Sequence, residues 1–479
     1  MSILNFELFI NGGAVPSQLG KTIDVIDPST EELIARVPRG NAADMDAAVE
    51  AARRAFPGWR DTKPKDRAQL LFEVGRALRA QVEKFAHWEA MDSGKPLARA
   101  RNETLSTARF FEFYAGAADK FYGDTIPLGP DYIDFTLVEP MGVTAHIIPW
   151  NFPLNMLGRS VAPALAMGNT AVVKPAEDTP ISALMLANLM REVGIPAGVY
   201  NVVTGYGDEA GAPLTSHVGV DCITFTGSVE TGRLVMQAAA VHIRPVVLEL
   251  GGKSPHIVFA DGDLDLAAAE VAKGIFSNSG QVCSAGSRLV VEASAREALL
   301  EKLVAYVENK ITVGPALDNP TMGPLVSRAQ FDRVSSYMDV GRNEGARIIT
   351  GGSRPARFDR GFFFAPTIFD GVEPGMRVAQ EEIFGPVLAV QTFEDTDEAL
   401  AIANGVNFGL VAGIFTRDID KAMRLARDIQ AGQIFINEYF AGGEETPFGG
   451  FKQSGFGREK GIAALHNYTQ IKNVAIRIR

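Results

Sequence analysis

The sequence contains little cysteine and no long apolar run. Its 479 residues include only 2 cysteines, Cys222 and Cys283, which cannot form a disulfide framework and are typical of a protein in the reducing cytosol. No run of about 18 apolar residues occurs, so we expect no membrane-spanning helix. The opening residues, MSILNFELFINGG, lack the basic segment followed by an apolar segment that marks a secretory signal. We therefore expect a cytoplasmic protein.

The sequence also lacks an excess of positive charge. It has 46 Lys and Arg residues against 57 Asp and Glu residues, which gives a formal net charge of -11. Because nucleic acids and anionic membranes bind concentrated positive surfaces, we expect neither as a main partner. The 48 glycines and 26 prolines are scattered along the chain, as in ordinary globular proteins. A chain of this length exceeds one hydrophobic core, so we expect two or three domains with room for a large cofactor between them.

The spacing of apolar residues predicts short strands and then long helices in the first part of the chain. Residues 1 to 40 alternate polar and apolar positions as short strands do. Apolar residues then recur at intervals of three and four in 42 to 56, 65 to 92 and 97 to 120. We expect these helices to bury one face against a sheet.

From residue 143 onward, short apolar runs typical of buried strands alternate with helical segments. The predicted strands are VTAHII, TAVVKP, VYNVV, CITF and VVLEL, and the predicted helices span 153 to 168, 182 to 194 and 229 to 241. Such a series forms a parallel sheet that binds its ligand at the carboxyl ends of the strands. Polar and glycine residues follow each predicted strand, at 149 to 151, 174 to 177, 204 to 207, 226 to 228 and 249 to 253. We expect these five segments to converge on one edge of the sheet.

A second α/β series spans 255 to about 440 and would form the other wall of the site. Its predicted strands are RLVVE, ARIITG, FFFAPTIF, PVLAVQTF, VAGIFT and QIFINE. Residues 131 to 143 and the final segment, YTQIKNVAIRIR, alternate like strands but lie outside both series. Strands of this kind often form an arm that contacts a partner subunit.

Cys283 is the candidate nucleophile. Its loop, SNSGQVCSAGS, is polar and contains glycine, whereas Cys222 lies in an apolar strand and is explained by packing. A thiol with a pKa of about 8.5 needs a base or a positive field to react at neutral pH. None of the six histidines lies near Cys283 in the sequence, which disfavours a cysteine hydrolase.

Two polar residues at predicted strand ends could assist Cys283. Glu249 follows the apolar run VVLEL, where desolvation would raise its pKa toward the range of a general base. It could instead reach solvent or pair with Lys253. Asn151 could donate its amide to an oxyanion together with backbone N–H groups around Cys283, or serve only the turn before Pro153.

A dinucleotide site is indicated by the strand, turn and helix of CITFTGSVETG. Gly227 and Gly232 lie at the predicted start of a helix, where N–H groups can face a pyrophosphate. The spacing is not the usual G-x-G-x-x-G pattern, and glycine is common at such turns. Glu177 could accept both hydroxyls of a ribose and repel a 2′-phosphate, which would favour NAD over NADP. Alternatively, Lys174 and Glu177 form a solvated pair.

Seven motifs together carry a family resemblance: PWNFP, VVKPAE, FTGSVETG, LELGGKSP, GQVC, EEIFGPV and PFGGFKQSG. In their order and approximate spacing, the chain resembles the NAD(P)-dependent, non-acylating members of the aldehyde dehydrogenase superfamily over essentially its whole length. The resemblance implies a three-part α/β architecture and a homodimer or homotetramer. The implied parts are a Rossmann-like parallel-sheet cofactor domain in 1 to 117 and 141 to 251, an α/β catalytic domain in 252 to 453, and a small β oligomerisation arm in 118 to 140 and 454 to 479.

The resemblance also implies a role for each site residue. Cys283 would attack the aldehyde carbon, Asn151 would stabilise the oxyanion, and Glu249 would activate water to hydrolyse the thioester after hydride transfer to NAD, with NADP also possible. Glu382 would hold the nicotinamide ribose, and Phe384 would pack beside the ring. The residues expected to bind the cofactor are Ile148, Trp150, Lys174, Glu177, Gly207, Gly227, Ser228, Leu250, Gly251, Glu382 and Phe384.

The substrate is expected to be an aldehyde that is aromatic or carries a carboxylate or hydroxyl group. Asn151, Asn155 and Arg159 are four residues apart, so on one helix they would share a face and Arg159 could bind a distal carboxylate. Arg159 could instead form a structural ion pair, and the succinate-semialdehyde pattern has an arginine where this chain has Ser277. The residues expected to line the substrate site are Phe152, Asn155, Met156, Arg159, Val282, Ser284 and Phe440.

Three other functions stay open from the sequence. They are a CoA-acylating semialdehyde dehydrogenase, a cysteine hydrolase and a non-catalytic nucleotide-binding relative. Relatives that transfer the acyl group to CoA typically lack the glutamate found at 249, a cysteine hydrolase would need a histidine partner, and a non-catalytic relative would not need Cys283, Glu249 and Asn151 together.

Overall fold

The computed structural model describes residues 3 to 478, so the predicted boundaries at residues 1 and 479 lie outside the described residues. The strands are β1 Leu4–Asn5, β2 Leu8–Ile10, β3 Gly13–Val15, β4 Thr22–Asp27, β5 Glu32–Pro38, β6 Thr125–Ile126, β7 Tyr132–Pro140, β8 Val143–Ile148, β9 Thr170–Pro175, β10 Tyr200–Val202, β11 Cys222–Thr226, β12 Val246–Glu249, β13 Pro255–Val258, β14 Arg288–Glu292, β15 Arg347–Thr350, β16 Thr367–Asp370, β17 Val387–Phe393, β18 Phe408–Gly409, β19 Val411–Phe415, β20 Gln433–Ile436, β21 Phe451–Lys452, β22 Gly455–Phe456 and β23 Thr469–Arg477. The α-helices are α1 Ala42–Asp61, α2 Pro64–Ala80, α3 Val82–Ser93, α4 Leu97–Ala117, α5 Pro153–Ala166, α6 Ile181–Val193, α7 Ala212–Ser216, α8 Val229–Val241, α9 Leu264–Phe276, α10 Arg296–Lys310, α11 Arg328–Asn343, α12 Arg377–Gln380, α13 Thr396–Asn404 and α14 Ile419–Asp428.

An eight-stranded sheet forms the first lobe, in the order β22-β12-β11-β8-β9-β10-β2-β3. Its five central strands are parallel, whereas β22 and the β2-β3 hairpin pair antiparallel at the edges. The predicted strand series is therefore confirmed. Because the five central strands run the same way, the polar segments that follow them meet at one edge of the sheet.

The helices before residue 120 differ from their predicted bounds. The predicted helix over 65 to 92 is two helices, since Gln81 (φ −112°, ψ 21°) is not helical and separates α2 from α3. Helix α1 continues beyond the predicted end, through Pro57, so that Trp59 is buried. Only part of the expected packing is found: α1 packs on β8, β9 and β10, while α2 to α4 pack mainly on one another and on α5 and α6.

A seven-stranded sheet forms the second lobe, in the order β15-β16-β17-β14-β13-β19-β20. All of its pairs are parallel except the edge pair of β15 with β16. The predicted strand FFFAPTIF is shorter than expected and begins at Thr367, because Pro366 has no N–H to donate to a ladder. Phe362 and Phe364 are nevertheless buried in the core beneath this edge.

The predicted arm forms a separate three-stranded antiparallel sheet, in the order β23-β7-β6. Strand β23 pairs with β7 along its whole length. The start of the predicted C-terminal arm segment lies elsewhere, since β22 pairs with β12 at the edge of the first sheet. Among residues 3 to 478, no helix has the length and hydropathy needed to cross a membrane.

Candidate active site

Two cavities meet at Cys283, which lines both. The larger has a volume of about 420 Å³, and the smaller, of about 280 Å³, opens at the carboxyl ends of the first sheet. Cys283 follows α9 of the second lobe and is only partly buried. A thiol at this point can therefore contact molecules held in both cavities.

The loop before Cys283 is held in an uncommon backbone conformation. Asn278, Ser279 and Gly280 have φ values of 51°, 56° and 71°, all in the left-handed region. A Cβ on Gly280 would lie 2.0 Å from the carbonyl oxygen of Gly385, so only glycine fits this close approach. Left-handed backbone at non-glycine residues persists only where surrounding contacts fix it, and it is frequent at functional sites.

Asn151 is fixed to this loop by its amide. Its Nδ2 donates to the carbonyl oxygen of Gln281 at 3.0 Å, and Asn278 Nδ2 donates to the carbonyl oxygen of Asn151 at 3.3 Å. Asn151 is buried and lines the smaller cavity with Cys283. Because one amide N–H is held by Gln281, the other is available to a bound oxygen.

One prediction about Asn151 is wrong. Helix α5 begins at Pro153, and its N-cap residue, Phe152, has φ −140°. Asn151 therefore lies outside the helix and does not share a helical face with Asn155 and Arg159. The proline explains the boundary, since it lacks an N–H and is best tolerated in the first turn of a helix.

Glu249 ends β12 as a buried, unpartnered carboxylate. Its side chain lines the smaller cavity and is 1% exposed, and neither carboxylate oxygen has a hydrogen-bond partner among residues 3 to 478. Burial raises the pKa of Glu249 well above its ordinary value, and Glu459 raises it further, against the opposing charges of Arg159 and Arg458. The alternative of solvent exposure is wrong, because Glu249 is buried. The alternative of pairing with Lys253 is also wrong, because Lys253 Nζ is buried and has no hydrogen-bond partner in the described part of the chain.

The surroundings of Cys283 raise the pKa of its thiol. Burial raises the pKa of the thiol to about 12; Glu249, Glu382 and Glu459 add to the rise, and Arg159 opposes it. A nearby base is therefore needed to make the thiolate. Cys222, by contrast, is fully buried in β11, so the prediction that it serves packing is confirmed.

The smaller cavity collects most of the residues predicted to bind a cofactor. Those that line it are Trp150, Gly227, Ser228, Leu250, Gly251, Glu382 and Phe384. Glu382 accepts a hydrogen bond from the Gly252 N–H at 2.9 Å, and a Cβ on Gly251 would lie 2.1 Å from Glu382 Oε2. Burial raises the pKa of Glu382 to about 7, against the opposing Gly252 hydrogen bond.

An aromatic pair and two residues that the sequence did not indicate complete this cavity. The rings of Trp150 and Phe384 meet edge to face, with centroids 5.1 Å apart, and Phe384 has φ 62°. Gln330 donates to the carbonyl oxygen of Phe384 at 2.6 Å, and Arg333 donates to that of Glu382 at 2.6 Å. Both belong to α11, so they hold the loop that carries Glu382 and Phe384. In the sequence, these two residues are distinguished only by lying three positions apart in a polar helical segment.

Four residues predicted to bind a cofactor line neither cavity: Ile148, Lys174, Glu177 and Gly207. Lys174 Nζ lies 2.9 Å from Glu177 Oε2, the ion pair considered as the alternative role for these residues. They remain near the same edge of the sheet, because Ile148 and Lys174 belong to adjacent strands, β8 and β9.

The larger cavity contains every residue predicted for the substrate: Phe152, Asn155, Met156, Arg159, Val282, Ser284 and Phe440. The sequence did not indicate several others that line it, among them Arg99, Ser106, Phe110, Lys273, Phe435, Glu444, Phe448 and Lys460. These come from α4, α9, β20 and the loops after β20 and β22, which no sequence pattern connects.

Arg159 forms the ion pair that the sequence left as an alternative. Its Nη2 lies 2.5 Å from Glu459 Oε2, and the two residues are 7% and 2% exposed. The guanidinium also lies 4.7 Å from the centre of the Phe448 ring. The nearest sequence signal for Glu459 is its position after the glycine-rich PFGGFKQSG motif.

The structure therefore defines a two-lobed α/β protein with the thiol of Cys283 between a dinucleotide-type cleft and a second cavity. The aldehyde dehydrogenase family model matches residues 14–474. Hydroxyisobutyraldehyde dehydrogenase of Mycolicibacterium austroafricanum is 48% identical, covering 98% of this chain and 94% of its own. Human retinal dehydrogenase 2 is 43% identical, covering 98% and 92%. A solved NAD+ complex of aldehyde dehydrogenase from Bacillus cereus superposes with a TM-score of 0.97 at 42% identity, covering 99% and 97%.

The chain belongs to the aldehyde dehydrogenase family, whose members are NAD(P)-dependent oxidoreductases. The predicted family and the predicted three-part α/β architecture are confirmed. The relatives differ in the aldehydes that they are named for, so their names do not identify the substrate of this chain.

Proposed function

We propose that this protein oxidises an aldehyde to its carboxylic acid with NAD, through a thioester on Cys283. The observation that carries the proposal is the position of Cys283 at the junction of two cavities, with Asn151 and Glu249 on the smaller one. One cavity suits the aldehyde and the other suits the cofactor. The thiol lies where the two would meet.

The smaller cavity fits a nicotinamide dinucleotide. It opens where parallel strands end, and it includes Gly227 and Ser228 at the N-terminus of α8. Gly251 leaves the space that a Cβ would fill, and Glu382 offers a partly buried carboxylate for ribose hydroxyls. Bound NAD+ would supply the acceptor for the hydride that leaves the aldehyde carbon.

The first chemical step belongs to Cys283 and Asn151. The thiol loses its proton to Glu249, whose raised pKa suits it to accept and hold a proton. Sulfur then bonds to the carbonyl carbon, and the free N–H of the Asn151 amide, with the backbone N–H of Cys283, stabilises the oxygen that becomes negative. Loss of hydride from that carbon leaves the thioester.

The second step belongs to Glu249. After Glu249 has released the proton of the thiol to solvent, its carboxylate removes a proton from a water molecule, whose oxygen attacks the thioester carbon. The acid leaves as the Cys283 sulfur takes the proton of that water back from Glu249. A buried, unpartnered base on the same cavity favours water over CoA as the acyl acceptor. The CoA-acylating reaction is the alternative, and it would have no use for this carboxylate.

Glu177 has a proposed role in the choice of cofactor. We propose that Glu177, which is partly exposed, accepts ribose hydroxyls and favours NAD over NADP.

We also propose that the arm sheet contacts a second copy of this chain in a homodimer or homotetramer. Large apolar side chains are exposed on this sheet, on both β7 and β23: Tyr132, Ile133, Leu137, Ile471 and Ile476.

The proposal is tested by following NADH absorbance with NAD and a panel of aldehydes, with and without CoA. We expect NADH and free carboxylic acid in equal amounts without CoA. A strict requirement for CoA would support the acylating alternative, and the absence of NADH with every aldehyde would contradict the proposed function.

A further inference from the structure

Cations predominate among the charged side chains that line the larger cavity. Four basic residues contribute to its wall, against one acidic residue: Arg99, Arg159, Lys273, Lys460 and Glu444. Each basic residue could in principle bind an anion, so the partners of each decide which one is available.

Three of the four cations already have carboxylate partners. Arg159 pairs with Glu459 at 2.5 Å and Lys273 pairs with Glu270 at 3.2 Å. Arg99 lies 3.2 Å from Glu103 Oε1 and also donates to the hydroxyl of Ser277. Binding an anion to any of these would compete with an existing ion pair.

Lys460 is the exception. Among residues 3 to 478, no carboxylate lies within 4.0 Å of its ammonium group and no hydrogen bond involves it, although the side chain is half-buried. Its backbone is in the left-handed region (φ 60°), next to Gly461 at φ 57°. The turn therefore holds Lys460 in a backbone conformation that residues with a side chain disfavour. A half-buried cation without a partner favours an anion from outside the chain.

The charges around Lys460 come from three segments. Arg159 of α5 lowers the pKa of Lys460, and Glu444, Glu445 and Glu459 raise it; with burial as the largest cause, the pKa is lowered to about 8. The Glu444 carboxylate accepts a hydrogen bond from Ser106 at 2.6 Å, so it is partly satisfied within the wall. The net result is an ammonium that is still largely charged at neutral pH.

The rest of the wall is largely apolar and suits the carbon body of a substrate. Phenylalanine side chains and one methionine line the same cavity: Phe110, Phe152, Phe435, Phe440, Phe448 and Met156. Cys283 lines this cavity and the smaller one. The cavity therefore combines a nucleophile, an apolar wall and an unpaired cation.

We propose that Lys460 binds a carboxylate at the end of the substrate distant from the carbonyl, so that this enzyme prefers aldehydes with an aromatic or aliphatic body and a distal carboxylate. The inference rests on the proposed function and names the substrate class of that site. It replaces the expectation that Arg159 binds the carboxylate, since Arg159 is paired. A doubly charged phosphate fits less well, because Glu444 lines the same wall.

The test compares 4-carboxybenzaldehyde with 4-methylbenzaldehyde, which has the same body without the charge. In the wild type we expect a higher kcat/KM for the carboxylated aldehyde. Lys460→Met should lower the ratio of the two kcat/KM values at least about tenfold, which corresponds to about 1.4 kcal/mol. Lys460→Arg should keep most of the ratio, because it keeps the charge. Lys84→Met removes an exposed lysine on α3 and serves as the matched control.

A second measurement does not depend on any variant. As the pH rises through about 8, Lys460 loses its proton, so the wild-type KM for 4-carboxybenzaldehyde should rise relative to that for 4-methylbenzaldehyde. Changes at Cys283 and Glu249 affect both substrates and cancel in this ratio. An unchanged ratio in Lys460→Met, or across this pH range, overturns the inference while leaving the proposed function intact. Absence of NADH with both aldehydes and with the wider panel would instead remove the proposed function.

Discussion

Replacing Arg159 by methionine should destabilise the protein by leaving Glu459 buried without its counter-charge. The two groups are 2.5 Å apart and 7% and 2% exposed. Removal of one member of a buried ion pair costs about 3–5 kcal/mol. Because Arg159 also lines a cavity that water can enter, we expect the lower end, about 3 kcal/mol.

The same substitution should shift the pH dependence of catalysis. Arg159 lowers the pKa of both Cys283 and Glu249, so without it both pKa values rise. The ionised forms then appear only at higher pH, and the rising limb of the pH-rate profile moves to more alkaline pH. The shift should be equal for neutral and carboxylated aldehydes, since it acts on the catalytic groups and not on the substrate.

The assay compares Arg159→Met, Glu459→Gln and the double variant by urea unfolding midpoints and by pH-rate profiles with benzaldehyde. The double variant should recover at least half of the stability lost in Arg159→Met, because it removes the unpaired charge. Arg99→Met is the matched control: Glu103 keeps its contact with Lys95, so the loss should be small. Unchanged stability in Arg159→Met, with a higher KM for carboxylated aldehydes alone, would contradict a structural role for Arg159 and restore it as the substrate-binding residue.

Two further substitutions test the base and the cofactor cleft. Glu249→Gln should slow the first NADH formed per site and lower the steady rate about 10²- to 10⁴-fold, because formation of the thiolate and hydrolysis of the thioester both lose their base; stopped-flow absorbance that shows a full steady rate would rule out this role. Gly251→Ala places a Cβ 2.1 Å from Glu382 Oε2 and should weaken NAD binding about tenfold in a fluorescence titration, as Glu382 moves away from the Gly252 N–H. Gly375→Ala, whose Cβ would meet no atom within 4 Å, should bind NAD normally, and equal affinity in both variants would contradict the proposed role of Glu382.

Much of the fold could be predicted because the sequence patterns that indicate its strands are local. Apolar runs followed by polar or glycine residues identified β8 to β12, and parallel pairing then required their ends to meet. Helix bounds were less predictable, as the break at Gln81 shows, because the apolar spacing continues through a residue whose backbone is not helical. The pairing of β22 with β12 joins residues some 200 positions apart, and no local pattern predicts such a contact.

Residues of the site could be predicted from the sequence only where their side chains are chemically unusual for their position. Cys283, Glu249 and Asn151 were indicated because a thiol in a polar loop and single polar residues at strand ends are uncommon. The environment of Arg159 was not predictable, since Glu459 lies 300 positions later in the chain and reaches it only through tertiary structure. No sequence pattern indicated Lys460. A lysine lacks an ion-pair partner only if no carboxylate lies near it in the folded chain, and the sequence does not show which carboxylates lie near it.

The covalent state of Cys283 during turnover tests whether the reaction passes through a thioester on this residue. Mixing the wild-type protein with NAD and benzaldehyde, quenching in acid within the first turnover and mapping peptides by mass spectrometry should show a benzoyl group on Cys283, in an amount equal to the NADH formed minus the free benzoic acid. NADH formed in excess of free benzoic acid with Cys283 unmodified, or an acyl group carried by another residue such as Cys222, would contradict such a thioester.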